Sequence, residues 1–190
     1  MDINPAMPQL LYMDSSLIVV SKPYNLSTAA GPAEDEQDCL ISRLEEDFPG
    51  VQPVQPMDFA CSGVVVLALT QRSRDALQAQ FASQQTEHSY EAIVSGTVPE
   101  QNTEAGHPAH TRWQQLEQGD GWTRLALTPL TAGYQLRATM QAIGHPIVGD
   151  SAATPAADPD AERLHLHARR LSFRHPNTGL SLSFESPCPF

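Results

Sequence analysis

Residues 55–69 read QPMDFACSGVVVLAL: a lone carboxylate, Asp58, stands shortly before Ser62-Gly63 and an unbroken apolar run from Val64 to Leu69. A run of that length, rich in β-branched residues and without polar alternation, predicts a strand covered on both faces. A carboxylate at the mouth of such a strand has two readings. It is a turn residue that caps the strand, or it is a reactive group held on a rigid element.

The neighbouring segments supply the rest of a sheet. QLLYMDSSLIVVSKP (9–23) predicts two short strands around a polar turn at Asp14 to Ser16, stopped by Pro23. From Gln37 to Phe48, the residues Cys39, Leu40, Leu44 and Phe48 recur at helical spacing, and Pro49-Gly50 ends the pattern. Thr70 is placed to cap the helix TQRSRDALQAQFASQQ, with Ala76, Leu77, Ala79 and Phe81 as its apolar stripe. HSYEAIVSG (88–96) alternates Tyr90, Ala92 and Val94 against Glu91 and Ser95, which is a strand pattern.

Residues 97–110 predict a polar loop, GWTRLALTPL (121–130) another strand, and YQLRATMQAI a short helix after the Gly133 break, with Gly144 as its C-terminal cap. A loop rich in alanine, proline and aspartate (151–162) precedes two final strands, HLHARRLSF and LSLSFES, which flank a turn at Pro176 to Gly179. Strands that are neighbours in sequence, with few helices, predict an α+β domain on a mainly antiparallel, mixed sheet.

At 190 residues, with 41% hydrophobic and 17% charged residues, the composition fits one globular domain spanning 1–190. No apolar run approaches the roughly 20 residues of a membrane span, and MDINPAMPQL lacks the regions of a signal peptide. The expected address is cytoplasmic, with no membrane partner. Cys39, Cys61 and Cys188 form an odd set without CxxC spacing, and His165 and His167 have no third ligand at a characteristic distance. No metal site is expected. The net charge is −11, and Lys22 is the only lysine. That balance argues against a nucleic-acid partner, since phosphate contacts supply most of such affinity. The acidic runs 33–38 and 44–48 read as solvated surface.

Taken together, LLYMDSSLIVVSKPYNL, MDFACSGVVVLAL, FASQQ, HSYEAIVSG, QLR, GHPIVGD and LHLHA occur in an order that resembles the RluA-type pseudouridine synthases, from about Leu10 to the C-terminus. The resemblance implies the pseudouridine synthase fold and isomerisation of uridine in structured RNA, tRNA or rRNA, without metal or organic cofactor. It places the catalytic nucleophile at Asp58, the arginine that keeps it ionised at Arg137, the base-stacking aromatic at Tyr90 and a pocket-floor residue at Leu166. It also implies a catalytic domain without an S4-type RNA-binding module.

The chain departs from the family pattern in one direction. The family's HRLD is Gln55-Pro56-Met57-Asp58, so an RNA-handling arginine is replaced by Pro56. The TGR(S/T)HQLR segment is shortened to Thr131–Arg137, the lysine two before the tyrosine is His88, and the threonine before Ser-Gly is Cys61. Residues that handle the uridine remain, while those that grip the surrounding RNA are reduced. The leading expectation is an active synthase with weaker RNA binding than usual. One alternative is a homologue that has lost catalysis and serves as a binding or scaffold protein. Another is an enzyme whose RNA affinity comes from a basic helper protein.

Overall fold

The computed structural model describes residues 6–33, 36–100, 111–131, 135–153 and 161–190. Parts of the 97–110 and 151–162 loops and of the Thr131–Arg137 segment lie outside these residues. Among the described residues the chain forms β1 (Gln9–Met13), β2 (Leu17–Lys22), α1 (Leu40–Leu44), β3 (Gln52–Pro53), β4 (Ser62–Ala68) and α2 (Gln71–Ala82). It continues with β5 (Glu87–Ser95), β6 (Thr111–Gly119), β7 (Trp122–Pro129), α3 (Leu136–Ala142), β8 (Leu166–Arg174) and β9 (Ser181–Glu185).

The strands make one sheet in the order β1-β2-β4-β8-β5-β7-β6, with β3 pairing β4 and β9 pairing β8. Every described pairing is antiparallel except β4–β8, where Ser62 and Gly63 lie opposite His167 and Ala168. The α+β expectation holds. Gly63 makes the parallel junction possible. Its φ is +117°, and a Cβ there would sit 2.3 Å from the Ala168 carbonyl oxygen, so only glycine lets the two backbones approach.

All seven residues of β4 are buried, and alternation divides them between two layers. Val64 and Val66 pack with Leu17, Val19, Leu77 of α2, Leu171 and Phe173. Val65 and Leu67 pack on the other face with Ile18, Val20 and the α1 residues Leu40 and Leu44. A third cluster unites Tyr90, Ala92, Val94, Leu125, Leu127 and Leu166 with Leu136 and Met140 of α3. The helices therefore cover the sheet from both sides near the β4–β8 junction.

Three local details differ from the sequence reading. The first helix is one short turn-and-a-half, Leu40–Leu44, with Cys39 as its N-cap rather than a member of its apolar face. In α2 the inward residues are Ser73, Leu77 and Phe81, while Ala79 is exposed, because the helix presents a narrow edge to the sheet. Strand β6 had no counterpart in the reading: Thr111 and Trp113 are buried, while the rest is polar apart from the exposed Leu116, as befits an edge strand. Thr70 caps α2 as expected, its Oγ1 accepting the Ser73 N–H at 3.1 Å, and Gly144 (φ +83°) follows the last residue of α3's C-terminal turn.

Candidate active site

The segment before β4 is a loop that cannot hold itself in place by strand pairing, so it is held from below. Lys22, at the end of β2, is 1% exposed and turns inward. Its Nζ donates to the carbonyls of Leu26 (2.7 Å), Cys61 (2.7 Å), Pro23 (3.1 Å) and Phe59 (3.4 Å). Burial lowers its pKa to about 8, and the Asp58 carboxylate opposes that shift. The Thr28 hydroxyl accepts the Met57 N–H at 2.9 Å and donates to the Met57 carbonyl, and Leu26 N–H bonds Phe59 O. The loop from Met57 to Cys61 is thus fixed by three elements.

On this platform Asp58 meets the turn reading. Its Oδ1 accepts the Ala60 N–H at 2.9 Å and its carbonyl accepts the Cys61 N–H, which makes it the turn residue that starts β4. The same turn directs Oδ2 to Arg137 Nη1 at 2.8 Å. Arg137 lies in the first turn of α3 and donates through Nε (3.1 Å) and Nη2 (2.5 Å) to Asp150, a carboxylate only 2% exposed. The fork of a guanidinium fits this double engagement, and it is what an ammonium could not do. The bonds to Asp150, and then that to Asp58, raise the Arg137 pKa, so it stays charged at any ordinary pH. Burial disfavours the Asp150 anion, but Arg137 and the Ala152 N–H outweigh it and hold its pKa low. Arg137 is thus tied between two carboxylates at the start of α3.

Asp58, Arg137, Tyr90 and Leu166 all line one cavity of about 510 Å³ at the β4–β8 junction, together with Asp150. Tyr90 (8% exposed) and Leu166 belong to the core cluster of β5, β7 and β8 and form the apolar wall. The Asp58 side chain remains 41% exposed. Asp150 was missed as a site residue. Its signal was the GHPIVGD motif, whose last residue is the buried carboxylate.

Three of the departures, Pro56, His88 and Cys61, line the cavity. Pro56 is exposed there, and His88 lines the wall between Phe81 and Tyr90, with ring centroids 5.2 and 6.4 Å away. Burial lowers the His88 pKa to about 4, so it is neutral where a lysine would be charged. The Cys61 thiol is pushed up to about 12 by burial and is inert as a nucleophile. His167 is not placed for metal: its Nε2 donates to Ser186 O at 3.1 Å, and its Nδ1 accepts from the Ser62 hydroxyl at 2.9 Å. No helix among the described residues is long and apolar enough to cross a membrane.

Comparison with known proteins gives the class to which this sheet belongs. The model of the RNA pseudouridylate synthase family matches residues 16–142. The chain is 35% identical over 204 residues to the dual-specificity RNA pseudouridine synthase RluA of Escherichia coli strain K12, covering 95% of this chain and 93% of the relative. The protein of that name from Vibrio parahaemolyticus is 35% identical over 208 residues, covering 95% and 83%. Among solved structures, human RNA pseudouridylate synthase domain containing 1 superposes with a TM-score of 0.78 at 23% identity, covering 99% of this chain and 87% of that one. Human RNA pseudouridylate synthase domain containing 4 gives 0.73 at 20% identity, covering 95% and 88%; both show the shared fold. The chain belongs to the RNA pseudouridylate synthase family, and an isomerase, rather than a scaffold, is the reading that these relatives support.

Proposed function

We propose that this chain converts uridine to pseudouridine in structured RNA, tRNA or rRNA, with Asp58 as the nucleophile. The observation that carries the proposal is the position of the Asp58 carboxylate. It is aimed by its own turn, held by Arg137 at 2.8 Å, and placed in the same cavity as Tyr90 and Leu166.

The reaction exchanges one bond for another. The N1–C1′ bond of uridine breaks, the base turns over, C5 bonds to C1′, C5 releases its proton and N1 gains one. No oxidant, metal or organic cofactor enters the balance. Asp58 acts at C1′ or assists cleavage through a related route. Arg137, at 2.8 Å, holds the carboxylate in place and faces its negative charge when uridine covers it. Tyr90 stacks on the displaced base and offsets about 1–3 kcal/mol of lost stacking. Leu166 closes the floor. In this scheme the partial exposure of Asp58 is the open state of the site, and the incoming nucleotide completes its enclosure.

The test is tritium release from RNA labelled at uridine C5, using unfractionated tRNA and rRNA from cells lacking this protein. Wild type should release label and Asp58→Asn should not. Equal release by both would remove Asp58 from the mechanism, and no release by wild type would remove the activity.

A further inference from the structure

All eleven Lys and Arg residues of the chain lie among the described residues, and most are already engaged. Arg43, Arg124, Arg137, Arg169 and Arg170 stand against carboxylates. Lys22 is enclosed by carbonyls. Arg163 lies between the rings of Tyr24 and Phe190 and donates to Ser62 Oγ. Arg72, Arg74, Arg112 and Arg174 make no ion pair among the described residues.

Of these four, Arg74 is the one that is half-buried, the others being exposed. Its Nε is buried with no hydrogen-bond partner, and its Nη1 reaches Gln52 Oε1 only at 3.4 Å. A half-buried guanidinium with no acid beside it has capacity for an anionic acceptor at its Nη nitrogens, the enclosed Nε being out of reach. Its location gives that capacity a direction. Arg74, Gln78 and Phe81 follow one another at i, i+4 and i+7, so they share one side of α2. Gln78 donates to Val54 O at 3.1 Å, and Phe81 lines the cavity. This row runs beside β3 and the Gln55-Pro56 segment to the cavity mouth, with about 10 Å of helix between Arg74 and Phe81. The helix's acid, Asp75, accepts a bond from Gln71 at 2.7 Å.

We propose that the sugar-phosphate backbone flanking the target uridine runs from the cavity along α2, with Arg74 holding one of its phosphates. The proposal rests on the reading of the Asp58 cavity as the uridine site. It gives a chain with Pro56 in place of an arginine, and a neutral His88, a cationic contact two turns of α2 beyond the cavity.

Binding of unfractionated tRNA and fragmented rRNA, followed across a salt series, tests it alongside tritium release. Arg74→Gln should weaken binding about fivefold at low salt and lower the slope of log affinity on log salt by about 0.7, the value for one single-strand phosphate. KM should rise in step, with kcat at saturating RNA within about twofold of wild type. Arg74→Lys should keep the slope, and Arg112→Gln, on the remote edge strand β6, should change nothing. A wild-type slope in a folded Arg74→Gln protein, or an equal loss in Arg112→Gln, would overturn the proposal. RNA that is bound but not isomerised would defeat the functional reading alone, while the slopes still decide on Arg74. An absence of any RNA binding would overturn both.

Discussion

Two arginine–carboxylate clusters occupy this sheet, one in the cavity and one on the opposite face. Arg137 meets Asp58 and Asp150 at 2.5–3.1 Å. Glu91 meets Arg169 at 3.2 Å and Arg124 at 3.7 Å, and Arg169 also meets Glu185 at 3.1 Å. Alternation sends Glu91 away from the core that Tyr90 and Ala92 enter, so the second cluster does not line the cavity. The residue types are nearly the same. What separates them is the support: Asp58 is aimed by a turn that Lys22 and Thr28 pin down, whereas the Glu91 cluster joins long side chains on neighbouring strands. Charge pairing is common on protein surfaces, and chemistry needs the rigid mount.

The sharpest way to break this comparison is to neutralise one acid from each cluster. Asp58→Asn should lower kcat by roughly a thousandfold or more while leaving the thermal midpoint within a few degrees. Glu91→Gln should leave kcat/KM within about twofold. Comparable losses in both would show that the two clusters are not functionally distinct.

A smaller effect is expected at Asp150. Asp150→Asn leaves Arg137 bound to Asp58 alone and free to swing, which should cost about 10–100-fold in kcat/KM. It should also lower stability by a few kcal/mol, because a partly buried guanidinium loses its buried partner. Activity unchanged within twofold would mean that Asp58 alone positions the arginine.

Lys22→Met tests the mount rather than the cluster. It leaves the Leu26 and Cys61 carbonyls without their lysine donor, at about 1–3 kcal/mol for each acceptor left unsatisfied. Activity should fall more steeply on warming than in wild type, as the Asp58 loop loosens before the sheet unfolds. Coincident loss of activity and global fold would show that the lysine supports stability only.

The mildest probe is acid. His167 is neutral in the fold because burial, aided by the Arg163 and Arg169 charges, lowers its pKa to about 4, against the bond to Ser186. The unfolded chain takes up the proton near pH 6.5, so it binds more protons than the native state between pH 6.5 and 4, and stability falls as pH drops through that window. The cost is on the order of 3 kcal/mol for this group. His167→Gln should flatten the pH dependence of the unfolding midpoint there, and an unaltered slope would remove His167 as its source.

Much of this was legible in the chain because burial wrote it there. The apolar run of β4 and the alternation of β5 follow from which faces are covered, and Asp58, Tyr90, Leu166 and Arg137 do meet in one cavity. Strand β6 escaped because an edge strand needs few apolar residues, although Asp120-Gly121 between it and β7 is a hairpin signal. The partnership of Arg137 with Asp150 escaped for another reason. Residues far apart in the chain leave no periodicity to betray their contact, and GHPIVGD offered a motif without a partner.

The enclosure of Lys22 has a practical consequence. It is the chain's only lysine, so amine-reactive reagents have one side chain to find, and it lies beneath the proposed nucleophile's loop. Slow acylation of that amine would time the opening of the site's floor, turning an ordinary labelling reaction into a clock for local breathing, and bound substrate should slow the clock.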